Sequence, residues 1–216
     1  MKKVLIVVSV IAVLFSGCIS ALVKSSIKDT PLGNKIVIHR NARVGDFAVL
    51  QGQHGKSQMT LKVKRYAGAL LVVESDTATN PFGLGMKSVA KIEMWVTRGG
   101  IVKKGYLVDG KERTQLKIAR YGQNEYVKKI PITYALRKKF GIKNRITVPA
   151  GTFYVRPVLY RMVKDSKESY SVYMTSNRVK FNQVAAYMYS KNSEGKYQKY
   201  SAFELSKHGR SLWYNF

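Results

Sequence analysis

The sequence predicts a mainly β fold, an antiparallel meander of roughly eight to eleven strands with little helix. Two observations predict it. First, apolar and polar residues alternate with period two: Leu61 and Val63 against Lys62 and Lys64; Ala90, Ile92, Met94 and Val96 against Lys91, Glu93 and Thr97; Phe153, Val155 and Pro157 against Tyr154 and Arg156. That period puts one face of a strand on a core and the other in water. Second, turn signals punctuate the runs at Gly52-Gln53-His54-Gly55, Asn80-Pro81-Phe82-Gly83, Arg98-Gly99-Gly100, Asp109-Gly110, Pro149-Ala150-Gly151 and Asn192 to Gly195, at the spacing of sandwiches and barrels.

In chain order, the first element is an export signal. Met1-Lys2-Lys3 is a basic start, Val4 to Phe15 is apolar except for Ser9, and Ser16-Gly17 are small. This is the three-part layout of a secretory signal, too short for a transmembrane helix. Leu14-Phe15-Ser16-Gly17-Cys18 then resembles a lipobox, with Phe15 where Leu is common. The resemblance implies cleavage between Gly17 and Cys18 and diacylglycerol on the thiol of Cys18, the chain's single cysteine. Two or more acyl chains hold a protein in a leaflet where one chain binds only marginally. Ile19 follows the cysteine; by resemblance to lipoproteins of enteric bacteria, that residue implies the outer membrane.

Residues 1–17 are therefore expected to be a signal peptide, 18–34 a lipidated tether and 35–216 one β-rich domain. The tether contains Ser20, Ser25, Ser26, Thr30, Pro31 and Gly33 without a sustained period, so it is expected to let the domain stand off the membrane. Ile132 to Phe140 is the best helix candidate, closed by Gly141, a residue suited to the left-handed position that ends a helix.

Three segments carry a second resemblance. Asn41-Ala42-Arg43-Val44-Gly45-Asp46-Phe47-Ala48-Val49 looks like the opening strand of many envelope lipoproteins, and Val148-Pro149-Ala150-Gly151-Thr152-Phe153 like a turn and strand of the carriers LolA and LolB. Val172 to Val179 sits where those carriers have an aromatic-Tyr-Ser strand, with Met174-Thr175-Ser176 replacing the usual residues. The resemblance implies a curved antiparallel sheet forming an unclosed barrel, with a short helical lid over a concavity able to hold an acyl chain.

Motifs for chemistry fail. Gly55-Lys56-Ser57 needs a glycine at Leu50 to be a phosphate loop, and Gly83-Leu84-Gly85 needs one at Ser88 to be a dinucleotide fingerprint. There is no Gly-x-Ser-x-Gly elbow. One cysteine with His39, His54 and His208 far apart makes no zinc set. The expectation is a non-enzymatic protein with no cofactor and no metal.

The formal charge of +26 predicts contact with anions. Residues 126–164 contain no Asp or Glu but hold Lys128, Lys129, Arg137, Lys138, Lys139, Lys143, Arg145, Arg156, Arg161 and Lys164. Arg137, Lys138, Lys139, Lys143 and Arg145 are the candidate anion-binding residues. Export points away from nucleic acid and towards lipid phosphates, lipopolysaccharide or sulfated glycans. Two readings stand: a carrier or scaffold for an apolar or amphiphilic envelope ligand, and a basic adhesin or envelope tether that binds polyanions. Leu212, Tyr214 and Phe216 resemble the last strand of an outer-membrane barrel, but Arg210 and His208 end the lipid-facing alternation.

Overall fold

A computed structural model describes residues 24–25, 27–28, 32, 35–52, 55–80, 87–118, 127–164 and 167–211. Gly17, Cys18, His54 and the C-terminal Leu212, Tyr214 and Phe216 lie outside the described residues.

The strands are β1 (Asp46–Gly52), β2 (Ser57–Ala67), β3 (Leu70–Thr79), β4 (Lys87–Val96), β5 (Val102–Asp109), β6 (Glu112–Gln115), β7 (Val127–Ile130), β8 (Arg145–Val148), β9 (Gly151–Tyr154), β10 (Arg156–Lys164), β11 (Lys167–Thr175), β12 (Gln183–Lys191) and β13 (Tyr197–Arg210), with helix α1 (Tyr134–Phe140) between β7 and β8. Eleven strands form one antiparallel sheet in the order β6-β5-β4-β3-β2-β1-β13-β12-β11-β10-β7; β8 and β9 form a separate hairpin. Edge strands β6 and β7 are not paired to each other, so the barrel is unclosed. Bulges at Val49/Leu50, Val63/Arg65 and Met188/Tyr189 sharpen its curvature.

Cross-strand rows show how alternation builds the core. Ala48, Leu61, Ser75, Ile92 and Leu107 are successive partners across β1 to β5, and Val63, Val73, Met94 and Gly105 form the neighbouring row. Gly105 ends that row because the side chain of Leu32 occupies the space a Cβ would need. The segment 35–42 crosses the same face, burying Ile38 and Ala42. Residues 176–182 close over the core from the other half: Val179 and Phe181 are completely or almost completely buried, and the Lys180 carbonyl accepts the His39 amide at 2.7 Å. Val172, Met174 and Leu159 share this one core with Val63 and Val73.

The structure departs from the sequence reading at several points. The alternation from Phe153 to Pro157 spans two strands, since β9 pairs with β8 and β10 with β11 and β7. Strand β11 stops at Thr175, where an extended run to Val179 was expected. The helix begins at Tyr134 rather than Ile132, because Thr133 caps it. Lys62, expected in water, is only 5% exposed, because its ladder partners are Phe47 and Glu74; burial pushes its pKa down. The tether's far end is docked: the Leu32 amide donates to the Lys117 carbonyl at 2.8 Å and Leu32 bridges to Ile118.

Candidate functional site

Helix α1 and the β8–β9 hairpin lie over the half of the sheet formed by β10 to β13 and leave a cleft between them. Local sequence sets the helix. The Thr133 hydroxyl accepts the Leu136 amide at 3.3 Å, satisfying one of the free donors of the first turn. Leu136 and Phe140, four residues apart, both pack on the core. Gly141 has φ 59, the left-handed conformation; its amide donates to the Lys138 carbonyl and that of Ile142 to the Arg137 carbonyl, the paired bonds of a Schellman ending. Pro149 and Ala150 turn the hairpin, and the Ala150 amide ties it to the Leu205 carbonyl of β13 at 3.0 Å.

The cleft has a volume of about 510 Å³, within the ordinary range for ligand sites. Phe140, Ile146, Met174, Tyr187 and Tyr189 supply its apolar surface, and Lys143, Arg145 and Lys199 its cations. These three cations are exposed, and among the described residues none of them has a carboxylate within ion-pair distance. The Tyr189 hydroxyl donates to the Phe140 carbonyl at 3.1 Å, fixing the helix end. The Tyr187 hydroxyl donates to Glu204 Oε1 at 3.0 Å, and the Lys199 ammonium lies 5.1 Å from the Tyr187 ring centre. Burial, followed by Glu204, pushes the Tyr187 hydroxyl pKa up, and burial does the same for Tyr189. Lys199 and Glu204 continue into a second hollow of about 310 Å³ with Gln51, Gly52, Gly55, Pro149 and Ala202.

Beside the cleft, Phe140 packs against Tyr170, Tyr189 and Tyr197 with ring centres 4.8 to 5.8 Å apart. Glu168 closes this cluster. It accepts from the hydroxyls of Tyr170 and Tyr197 and from Arg161, with Lys191 at 3.9 Å. The Tyr197 hydrogen bond leads, with those of Arg161 and Tyr170, in lowering the Glu168 pKa from 4.5 to about 2 against the opposing effect of burial. Burial and Glu168 push the tyrosine pKa values up.

The five candidate anion-binding residues separate. Lys143 and Arg145 line the cleft. Arg137 donates to Asn144 Oδ1 at 2.9 Å, and the Lys139 ammonium sits 4.0 Å from the centre of the Tyr197 ring. Lys138 is exposed on the helix. Among the histidines, His39 Nδ1 accepts the Asn41 amide and His208 lies 5.8 Å from the Phe153 ring. The sequence reading missed Tyr187, Tyr189 and Lys199. The two tyrosines were visible as an alternating pair; Lys199 carried no signal.

No protein-family profile and no curated protein matches the chain. The resemblance to LolA and LolB therefore rests on its three short segments. Several solved structures align with the chain at low similarity. A Bacteroides fragilis protein described as exported, with a YmcC-like fold, aligns at TM-score 0.43 and 10% identity over 82% of this chain and 100% of its own. A Parabacteroides distasonis protein described as a lipoprotein aligns at 0.44 and 15% identity over 81% and 99%. A hypothetical protein of Chlamydia trachomatis aligns at 0.40 and 11% identity over 82% and 96%. Likeness of this degree assigns neither ligand nor location.

Proposed function

We propose that the protein is an envelope lipoprotein, acylated at Cys18 and anchored to the outer membrane, that binds an anionic amphiphile in the cleft under α1 and the β8–β9 hairpin without transforming it. One observation carries the reading: Lys143, Arg145 and Lys199, none of them in an ion pair among the described residues, stand around the apolar surface of Phe140, Ile146, Met174, Tyr187 and Tyr189. Apolar burial there contributes roughly 25 cal/mol per Å², and the cations select a negatively charged head. Cells fed a photoactivatable fatty acid test it. Crosslinks should map to the peptides containing Met174 and Tyr187–Tyr189, apart from label on Cys18; crosslinks confined to Cys18 would sink the proposal.

A second reading, polyanion binding, is favoured by the opposite face of the sheet. There Arg65 and Lys104 flank the Trp95 ring at 5.6 and 5.1 Å, with Arg113 close by on Glu93. Retention on heparin that is lost in high salt and abolished by Arg65→Gln with Lys104→Gln supports this surface; retention unaffected by that pair removes it.

A further inference from the structure

The β5–β6 turn and the cleft lie on one rim of the curved sheet, and the anchored chain is tied to that rim. Register establishes the first point. Asp109 pairs with Glu112 across the β5–β6 turn, Thr79 with Ser57, Gly52 with Phe203, and Lys191 with Tyr197. Lys91 faces Val108, which brings the start of β4 to the same side. The ends of β1, β3, β5 and β12 therefore share a rim. The β2–β3 turn at Gly68-Ala69 and the β4–β5 turn at Arg98–Gly100 share the opposite one. Tyr189 pairs with Lys199 two residues from Lys191, so this end of the cleft lies near the first rim, while Met174, one residue from the end of β11, lines its other end.

The tether supplies the second point. The Lys24 ammonium is 2.8 Å from Asp109 Oδ1, Lys24-Ser25 and Ile27-Lys28 are helical, and Leu32 is bonded to Lys117. An exposed ion pair alone contributes at most about 1 kcal/mol; the rest of the path gives only its direction, since Lys35 bridges to Ile101 at the opposite rim and Leu32 packs beside Gly105 in the middle of β5, so the chain followed back from Lys35 runs towards the rim of Asp109. Lys24 is six positions after Cys18, and a fully extended chain covers at most about 3.6 Å per residue, roughly 20 Å in all.

We infer that the rim carrying the β5–β6 turn is the membrane-facing surface, with the cleft mouth held towards the leaflet that anchors Cys18, so that its ligand is a lipid of that leaflet. This rests on acylation at Cys18 as proposed above. The tether then acts as a short mooring line and not as a spacer. Exposed Lys56 and Lys111 on the rim meet an anionic surface, where a lysine gains about 1 kcal/mol; Lys196 is held by Glu194 at 3.1 Å, and exposed Asp109 and Glu112 on the same rim oppose the attraction, so the acyl anchor and not charge sets the orientation.

Energy transfer tests the orientation with the full acylated protein. Acylation occupies the Cys18 sulfur, so Lys111→Cys and Ala69→Cys each provide one free thiol for a donor dye, on opposite rims. The ten residues of β3 put the rims about 30 Å apart at about 3.3 Å per residue. In vesicles of anionic phospholipid carrying headgroup-labelled acceptor, transfer from position 111 should exceed that from position 69 severalfold. Equal transfer, or the reverse order, from protein whose mass shows the acyl groups overturns the orientation and leaves the anchor standing. Protein whose mass shows no acyl group and which does not sediment with vesicles overturns both.

Discussion

Replacing Glu168 by Gln and following stability against pH tests the aromatic cluster that holds the end of α1. In the native protein the Glu168 carboxylate is stabilised by Tyr197 first, then Arg161 and Tyr170, which bring its pKa from 4.5 to about 2. A folded pKa below the unfolded one means that the contribution is present above about pH 4.5 and is lost as pH falls towards 2. Taken whole, a displacement of that size amounts to about 3 kcal/mol. The side chain is 21% exposed and Arg161 is 49% exposed, so solvent screening reduces the contribution to roughly 1–2 kcal/mol. Chemical denaturation of wild type and Glu168→Gln at pH 6, 4 and 2 reads it. Wild type should be more stable by about 1–2 kcal/mol at pH 6, with most of that difference gone at pH 2, where the pH falls through the folded pKa. A difference that persists unchanged at pH 2, or no difference at pH 6, would refute the assignment of that stability to the ionised carboxylate.

Gly141→Ala should cost about 1 kcal/mol through left-handed strain alone, since φ is 59 and nothing lies within 4 Å of the added carbon; thermal denaturation measures it. Phe181→Ala should cost about 3–5 kcal/mol, because a side chain 1% exposed leaves a cavity at the centre of the shared core. A shift of the urea midpoint at constant slope is the readout.

The strands were legible because each is half-buried, and half-burial writes itself as alternation. The ending of α1 was legible because Gly141 meets a local demand. What local pattern does not encode is the partner. The alternation from Phe153 to Pro157 runs unbroken through Val155, whose amide bonds to the Asn144 carbonyl where the hydrogen-bonded neighbours change. Lys62 reads as a surface residue until Phe47 and Glu74 are placed beside it. The cleft brings together residues 140–147, 174, 187–189 and 199. Charge density in the acid-free stretch pointed to Lys143 and Arg145, whereas Lys199 lies outside that stretch and joins them only through its pairing with Tyr189. Arg137 and Lys139 belonged to the same basic run but do not line the cleft: Arg137 bonds to Asn144 and Lys139 lies over the Tyr197 ring.

The most direct test compares binding of a long-chain phosphate monoester and a neutral alcohol of equal chain length to the acylated protein in nanodiscs of zwitterionic lipid. Wild type is set against the triple variant Lys143→Gln, Arg145→Gln, Lys199→Gln. Three exposed cations at roughly 0.5–1 kcal/mol each give the phosphate an advantage of about tenfold or more at ~0.1 M salt. The account predicts that advantage in wild type, its loss in the variant, and similar affinity of both proteins for the alcohol. Equal affinity of wild type for phosphate and alcohol, or an advantage that survives in the variant, would contradict it.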